Sequence, residues 1–209
     1  MSATQLFRHY LDACPLVAII RGVRPDEAEA IGEAIHEAGI RIIEVPLNSP
    51  DPLQSIERLA KRFGEEMLVG AGTVLEPADV GRVWDAGGRI IVSPETNIEV
   101  IAATAAIDLV SSPGYFTPSE AFAAIRAGAT TLKLFPAEAA SPAMLKAQLA
   151  VIPNEVPVLV VGGIKPDSMR PWLEAGASGF GLGGGLYQAG QSAAETLAKS
   201  RAYVAGLKA

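Results

Sequence analysis

A chain of 209 residues that is 49% hydrophobic and 19% charged has the make-up of a globular interior, which excludes a disordered or low-complexity polymer. The net charge of −6, with no basic run, argues against nucleic acid as a partner, so an anionic ligand would have to be held by local positive groups. One cysteine, Cys14, rules out an internal disulfide, and the polar opening Met1–Gln5 with Arg21 inside the first apolar stretch gives neither a signal peptide nor a membrane span; a cytoplasmic enzyme of one domain, residues 1–209, is expected.

Residues Ala3–Ala13 read as an extra helix before the first strand, placed to cover the bottom of a barrel. Cys14 precedes Pro15 at the entry to the first apolar run and, with no basic companion in sequence, reads as packing. The apolar runs are then Val17–Arg21, Ile42–Leu47, Leu68–Val74, Ile90–Ser93, Leu109–Ser112, Thr131–Phe135, Val158–Val161 and Phe180–Leu182. Alanine-rich helical patterns separate them. Pro25-Asp26-Glu27 opens one, with carboxylates at the positive end of the helix dipole, and others start at Pro77, Pro118, Pro142 and Pro166. Ala38-Gly39, Ala86-Gly87, Ala127-Gly128 and Ala175-Gly176 end helices as left-handed caps just before the next strand. Eight near-equal β-α units predict a closed parallel (β/α)₈ TIM barrel with an added N-terminal helix; an open doubly wound sheet is the alternative.

In such a barrel the chemistry lies at the C-terminal strand ends. Lys133 stands out there, in the otherwise apolar Thr131-Leu132-Lys133-Leu134-Phe135. Burying an ammonium is costly and lowers its pKa, leaving free amine that attacks ketones. A lysine snorkelling to solvent from a strand end is the bland reading. Glu44, in Ile43-Glu44-Val45-Pro46, shares a strand face with Ile42 and Pro46. A lone glutamate on a strand is commonly a salt-bridge partner, and even that role needs a cation. If both point inward, Glu44 and Lys133 meet at the top of the barrel. Arg21-Gly22 ends the first strand and Gly70-Ala71-Gly72-Thr73 the third. Gly162-Gly163 and Gly183-Gly184-Gly185 follow strands seven and eight, where barrels commonly hold phosphate on backbone N–H groups. His9, His36 and Cys14 are dispersed, so no metal site is expected. Trp84 and Trp172 read as core or interface residues, and Lys165 as a solvated residue that could brush a phosphate.

Glu44 in Ile43–Pro50, Gly70-Ala71-Gly72-Thr73-Val74, Lys133 in Leu132–Ala137 and Val161-Gly162-Gly163-Ile164, in this order and spacing, resemble the 2-keto-3-deoxy-6-phosphogluconate/galactonate aldolases over nearly the whole chain. Pro46-Leu47-Asn48-Ser49-Pro50 is similar to the galactonate-type branch, where the gluconate type carries Thr-Leu-Arg-Thr; Phe135-Pro136-Ala137-Glu138 is shared with the gluconate type. Gly184 stands where many members have serine, and Tyr115-Phe116 is bulkier than the family pattern. The resemblance implies a class I aldolase needing no metal or other cofactor and acting on a phosphorylated 2-keto-3-deoxy sugar acid, in a homotrimer. It implies Lys133 as the imine-forming amine and Glu44 as the proton carrier. Thr73 and Arg21 would hold anionic substrate groups, and Gly162, Gly163 and Gly184 would cradle phosphate. A gluconate-type aldolase, a phosphosugar isomerase or epimerase, and a non-catalytic phosphosugar-binding module are the competing readings.

Overall fold

Every strand pairing is parallel in the computed structural model, which describes residues 1–208. The chain runs α1 (Ala3–Ala13), β1 (Leu16–Ile19), α2 (Pro25–Glu37), β2 (Ile42–Pro46), α3 (Pro52–Phe63), β3 (Leu68–Gly72), α4 (Pro77–Asp85), β4 (Ile90–Val92), α5 (Ile98–Ala106), β5 (Val110–Ser112), β6 (Gly114–Tyr115), α6 (Pro118–Arg126), β7 (Leu132–Leu134), α7 (Pro142–Leu149), β8 (Val158–Val161), α8 (Arg170–Glu174), β9 (Gly179–Leu182) and α9 (Ala193–Gly206). The sheet order is β5-β4-β3-β2-β1-β9-β8-β7-β6.

The expected eight-stranded barrel is present, with its fifth strand divided by Pro113. Proline has no N–H to give to a ladder. The lower half, β5, pairs with β4 (Val92 opposite Ser112), and the upper half, β6, pairs with β7 (Gly114 opposite Lys133). The seam closes through Thr131 N to Ser111 O at 3.1 Å and Lys133 N to Pro113 O at 2.9 Å. A side chain at Gly114 would strike the Pro94 carbonyl, which keeps that position bare.

Two apolar layers result. The outer one packs strand faces such as Ile43, Val45 and Val160 against helix residues such as Ile31, Ile35 and Leu59. The inner one fills the barrel with Val17, Ile42, Leu68, Ile90, Val110 and Leu159. As expected, α1 closes the bottom, inserting Phe7, Tyr10 and Leu11 into this inner layer. Burying the Phe7 ring is worth about 1.5–3 kcal/mol and leaves the helix polar on its outer face. Ala3 N donates to Asp108 Oδ1 (3.0 Å) and Tyr10 OH to the Glu65 carbonyl (2.6 Å), tying the plug to two loops.

The punctuation reads out as the sequence implied, with one correction. Gly39, Gly87, Gly128 and Gly176 all take positive φ at helix C-termini. The helix expected to open at Pro166 opens at Arg170 instead. Residues 166–168 form a turn, because Ser168 Oγ accepts from Lys165 N (2.8 Å) and Ser168 N donates to the Lys165 carbonyl (3.0 Å). Cys14 is buried, as a packing residue should be. Trp172 is buried, whereas Trp84 is 42% exposed under the Arg89 guanidinium, 3.9 Å from its ring centroid. Among the described residues no helix is long and apolar enough to cross a membrane. Nor do three or more His, Cys, Asp or Glu side chains converge there in a group that could hold a metal.

Candidate active site

A cavity of about 590 Å³ opens at the C-terminal ends of the strands. Every residue singled out from the sequence as a site candidate lines it: Arg21, Glu44, Thr73, Lys133, and the turns carrying Gly162, Gly163 and Gly184.

Lys133 sits at the centre of the short strand β7, which puts its side chain inside the barrel at only 7% exposure. Its Nζ lies 4.7 Å from the centroid of Phe135, two residues on along the same face. Burial pushes the ammonium pKa down; the Glu44 carboxylate pulls it up and Arg21 pushes it further down. Glu44 faces the same space from β2, aligned with Ile19 of β1 and Gly70 of β3. It is 2% exposed, and burial raises its pKa from the ordinary 4.5 to about 7, partly offset by Lys133 and Arg21. Both shifts drive the pair toward amine and carboxylic acid, the forms that nucleophilic attack and proton donation need. The two side chains share the cavity without a direct ion pair, and the described residues give Glu44 Oε2 no hydrogen-bond partner. The salt bridge that the sequence allowed for is therefore not formed. Space for the carboxylate comes from Gly72, where an added methyl would land on it.

Arg21, just past β1, donates to the Asn48 amide oxygen and to Thr73 Oγ1 (3.3 Å). Thr73 holds φ +55°, a left-handed conformation that costs a non-glycine residue about 1–3 kcal/mol. The strain aims its hydroxyl at the guanidinium. Ser49 Oγ accepts from Gly22 N (2.9 Å), so the loop after β2 is fastened twice to the loop after β1. Asn48 itself does not line the cavity. Its influence passes through Arg21, which spacing alone does not reveal.

At the other end, Gly162 (φ +117°) and Gly163 (φ +63°) turn the backbone in conformations closed to most side chains. A methyl on Gly162 would collide with the Glu138 carboxylate, and one on Gly163 would come within 2.7 Å of Glu138 Cγ. Gly183 and Gly184 differ, since an added Cβ there meets nothing within 4 Å. Glu138, Pro94, Phe135 and Gln188 also line the cavity and were not singled out as site residues, as does Lys165, read from the sequence as a solvated residue able to brush a phosphate. Glu138 and Phe135 lie in the run Leu132–Ala137 and its next residue, so the motif held the signal; Gln188 carried none. Tyr115, the bulky departure from the family pattern, is buried in the outer layer and donates from its hydroxyl to Gln148 Oε1 (3.0 Å). Gln148 Nε2 in turn donates to the Phe116 carbonyl (2.9 Å), so this pair braces β6 against α7 and lies outside the cavity.

A closed parallel barrel with a buried amine, a buried carboxylate and glycine turns at one mouth suits imine chemistry on a phosphorylated ketone. The family model described as KDPG and KHG aldolase matches residues 8–200. The 2-dehydro-3-deoxy-6-phosphogalactonate aldolase of Escherichia coli (strain K12) is 43% identical over 190 residues, covering 91% of this chain and 93% of its own. The KHG/KDPG aldolase of the same organism is 30% identical over 159 residues, 76% of this chain and 74% of its own. A solved structure described as native KDPGal superposes with a TM-score of 0.91 at 42% identity, over 93% of this chain and 94% of that one. The chain belongs to the KDPG and KHG aldolase family. It is a carbon–carbon lyase, and membership sets aside the isomerase, epimerase and non-catalytic readings.

Proposed function

We propose that this aldolase cleaves 2-dehydro-3-deoxy-6-phospho-D-galactonate to pyruvate and D-glyceraldehyde 3-phosphate through an imine on Lys133. The observation that carries the reading is the buried Lys133 amine facing a Glu44 carboxyl poised near neutrality in one cavity. Lys133 attacks the C2 ketone, and loss of water leaves a protonated imine. Glu44, as carboxylate, takes the C4 hydroxyl proton. The C3–C4 bond breaks, its electrons flow into the iminium, and the aldehyde leaves. The acid form of Glu44 returns a proton to C3 of the enamine, and water releases pyruvate and the free amine. One carboxyl group serves both transfers because each leaves it in the form the next requires.

Arg21, held by Asn48 and Thr73, takes the substrate carboxylate, its planar guanidinium matching that group. Gly162, Gly163 and Gly184 receive the phosphate at the opposite end on backbone N–H groups. The galactonate preference follows from Pro46-Leu47-Asn48-Ser49-Pro50 and from the higher identity to the galactonate-type relative. The chain acts as one catalytic domain, in the cytoplasm, where the single buried Cys14 stays reduced. A homotrimer would cover Leu75, Trp84 and Ile98, which are 41%, 42% and 56% exposed.

The test is kcat/KM for the two C4 epimers under identical conditions. A higher value for the galactonate epimer is expected; a clear preference for the gluconate epimer would return the chain to the other branch.

A further inference from the structure

The glycine turns at the phosphate end of the cavity bring no side chain of their own, and no helix starts at either of them. The first helix after Gly163 opens at Arg170, and the first after Gly184 opens at Ala193. A carboxylate is there instead, since the Glu138 side chain lies over Gly162 and Gly163. A phosphate dianion seated on the backbone N–H groups would be held beside that like charge, in a chain of net charge −6. Among the described residues three cations line the cavity: Arg21, Lys133 and Lys165. Arg21 is engaged by Asn48 and Thr73 at the carboxylate end, and Lys133 is committed to the imine. Lys165 stands two residues beyond Gly163, is exposed, and makes no ion pair among the described residues. Its backbone is fixed. Lys165 N donates to Ser168 Oγ (2.8 Å), and the carbonyl of Ile164, just before it, accepts from the buried Tyr203 hydroxyl of α9 (2.8 Å). Gly206 lets α9 pack so closely here that a methyl on it would strike the Pro166 carbonyl. A fixed backbone under a flexible four-carbon stem brings an ammonium to the mouth without ordering any more main chain.

We propose that Lys165 supplies the positive charge of the phosphate site, pairing its ammonium with the dianion that Gly162, Gly163 and Gly184 hold on backbone N–H groups. The two turns fix where the phosphate sits. The ammonium offsets the Glu138 carboxylate and sets how strongly a charged group is preferred to a neutral one. A compact ammonium on a rotatable stem suits this task, because it can follow the phosphate as the aldehyde leaves. Lys165 meets a part of the substrate that does not react, so its contribution falls on KM and not on kcat. The inference deepens the proposed cleavage of a phosphorylated sugar acid and rests on it.

The experiment compares the parent with Lys165→Met and Lys165→Arg in three measurements. They are KM and kcat for the phosphorylated galactonate epimer, the dependence of that KM on ionic strength, and borohydride trapping of pyruvate, which carries no phosphate. Lys165→Met should raise KM about tenfold, the effect of one charge-assisted hydrogen bond, with kcat little changed. Its KM should also rise less steeply with salt than that of the parent, because the attraction that salt screens is gone. Lys165→Arg keeps the charge and should retain a KM and a salt dependence close to the parental ones. Pyruvate trapping should run at the parental rate in both variants. An unchanged KM in Lys165→Met would overturn the proposal, as would an equal loss in pyruvate trapping, which would mark a structural defect. Failure of the parent itself to trap pyruvate on Lys133 or to cleave the phosphorylated substrate would overturn the imine reading and the assignment with it, an outcome distinct from an unchanged KM in a variant of a working enzyme.

Discussion

Glu44→Gln should make the protein a better fold and a worse enzyme, and the first effect should depend on pH. The Glu44 carboxyl is wholly buried, and its pKa rises from 4.5 to about 7, chiefly through desolvation. A group whose folded pKa lies above its unfolded value contributes stability that is complete below the unfolded value. That stability is lost as pH rises through the folded value. The window is therefore pH 4.5 to about 7. Across it the parent should lose about 3 kcal/mol, at 1.36 kcal/mol for each tenfold change in proton affinity. Glutamine cannot ionise and escapes this loss. Removing the carboxylate also removes its attraction for the Lys133 ammonium, so about 3 kcal/mol is an upper value for the relative gain at pH 8. For a chain of this length that is a difference in Tm of up to about 6–12 °C. Denaturant unfolding of both proteins at pH 4.5, 6 and 8 measures it. Turnover of the variant should fall by about 10² to 10⁴, the span for loss of a general acid–base group. Stability curves that stay parallel from pH 4.5 to 8 would refute the burial argument. Near-parental turnover would refute the catalytic one.

Lys133→Ala should abolish cleavage, and Lys133→Arg should do no better, since a guanidinium stays charged and forms no imine; borohydride reduction with pyruvate should place the adduct on Lys133, and an adduct on Lys146 or Lys165 would refute the assignment. Gly162→Ala should raise KM for the phosphorylated substrate at least tenfold, about 1.4 kcal/mol or more in binding, because φ is +117° and the methyl meets Glu138; unchanged KM would remove this turn from the phosphate site. Gly184→Ser should fold normally, since a Cβ there meets nothing within 4 Å, and its hydroxyl should lower KM by a fewfold, worth about 1 kcal/mol for one hydrogen bond. Asn48→Ala should raise KM more than it lowers kcat, because it frees Arg21 without touching the reacting carbons; a pure kcat effect would count against that role.

The sequence by itself determined the β-α rhythm, the barrel, and the identity of Lys133 and Glu44. These are local signals. Proline starts and glycine ends bracket several helices, such as α2, α4 and α6, and an ion inside an apolar strand is anomalous wherever that strand goes. The covering helix was legible for the same reason, since Phe7, Tyr10 and Leu11 fall on one helical face. What the tertiary structure decided depends on which strands become neighbours and how far one is displaced along another. Closure across Pro113, the seat of Glu138 on the Gly162-Gly163 turn, and the grip of Asn48 on Arg21 all join segments about twenty residues apart or more. Whether Trp84 or Trp172 faced the core was likewise settled by packing, as was the start of α8 after the Ser168 turn. The sequence could place Glu44 and Lys133 on inward faces, but period two fixes only a face, not a distance. Barrel geometry set them in one cavity, out of contact; desolvation there, and not any local pattern, brings their proton affinities toward each other.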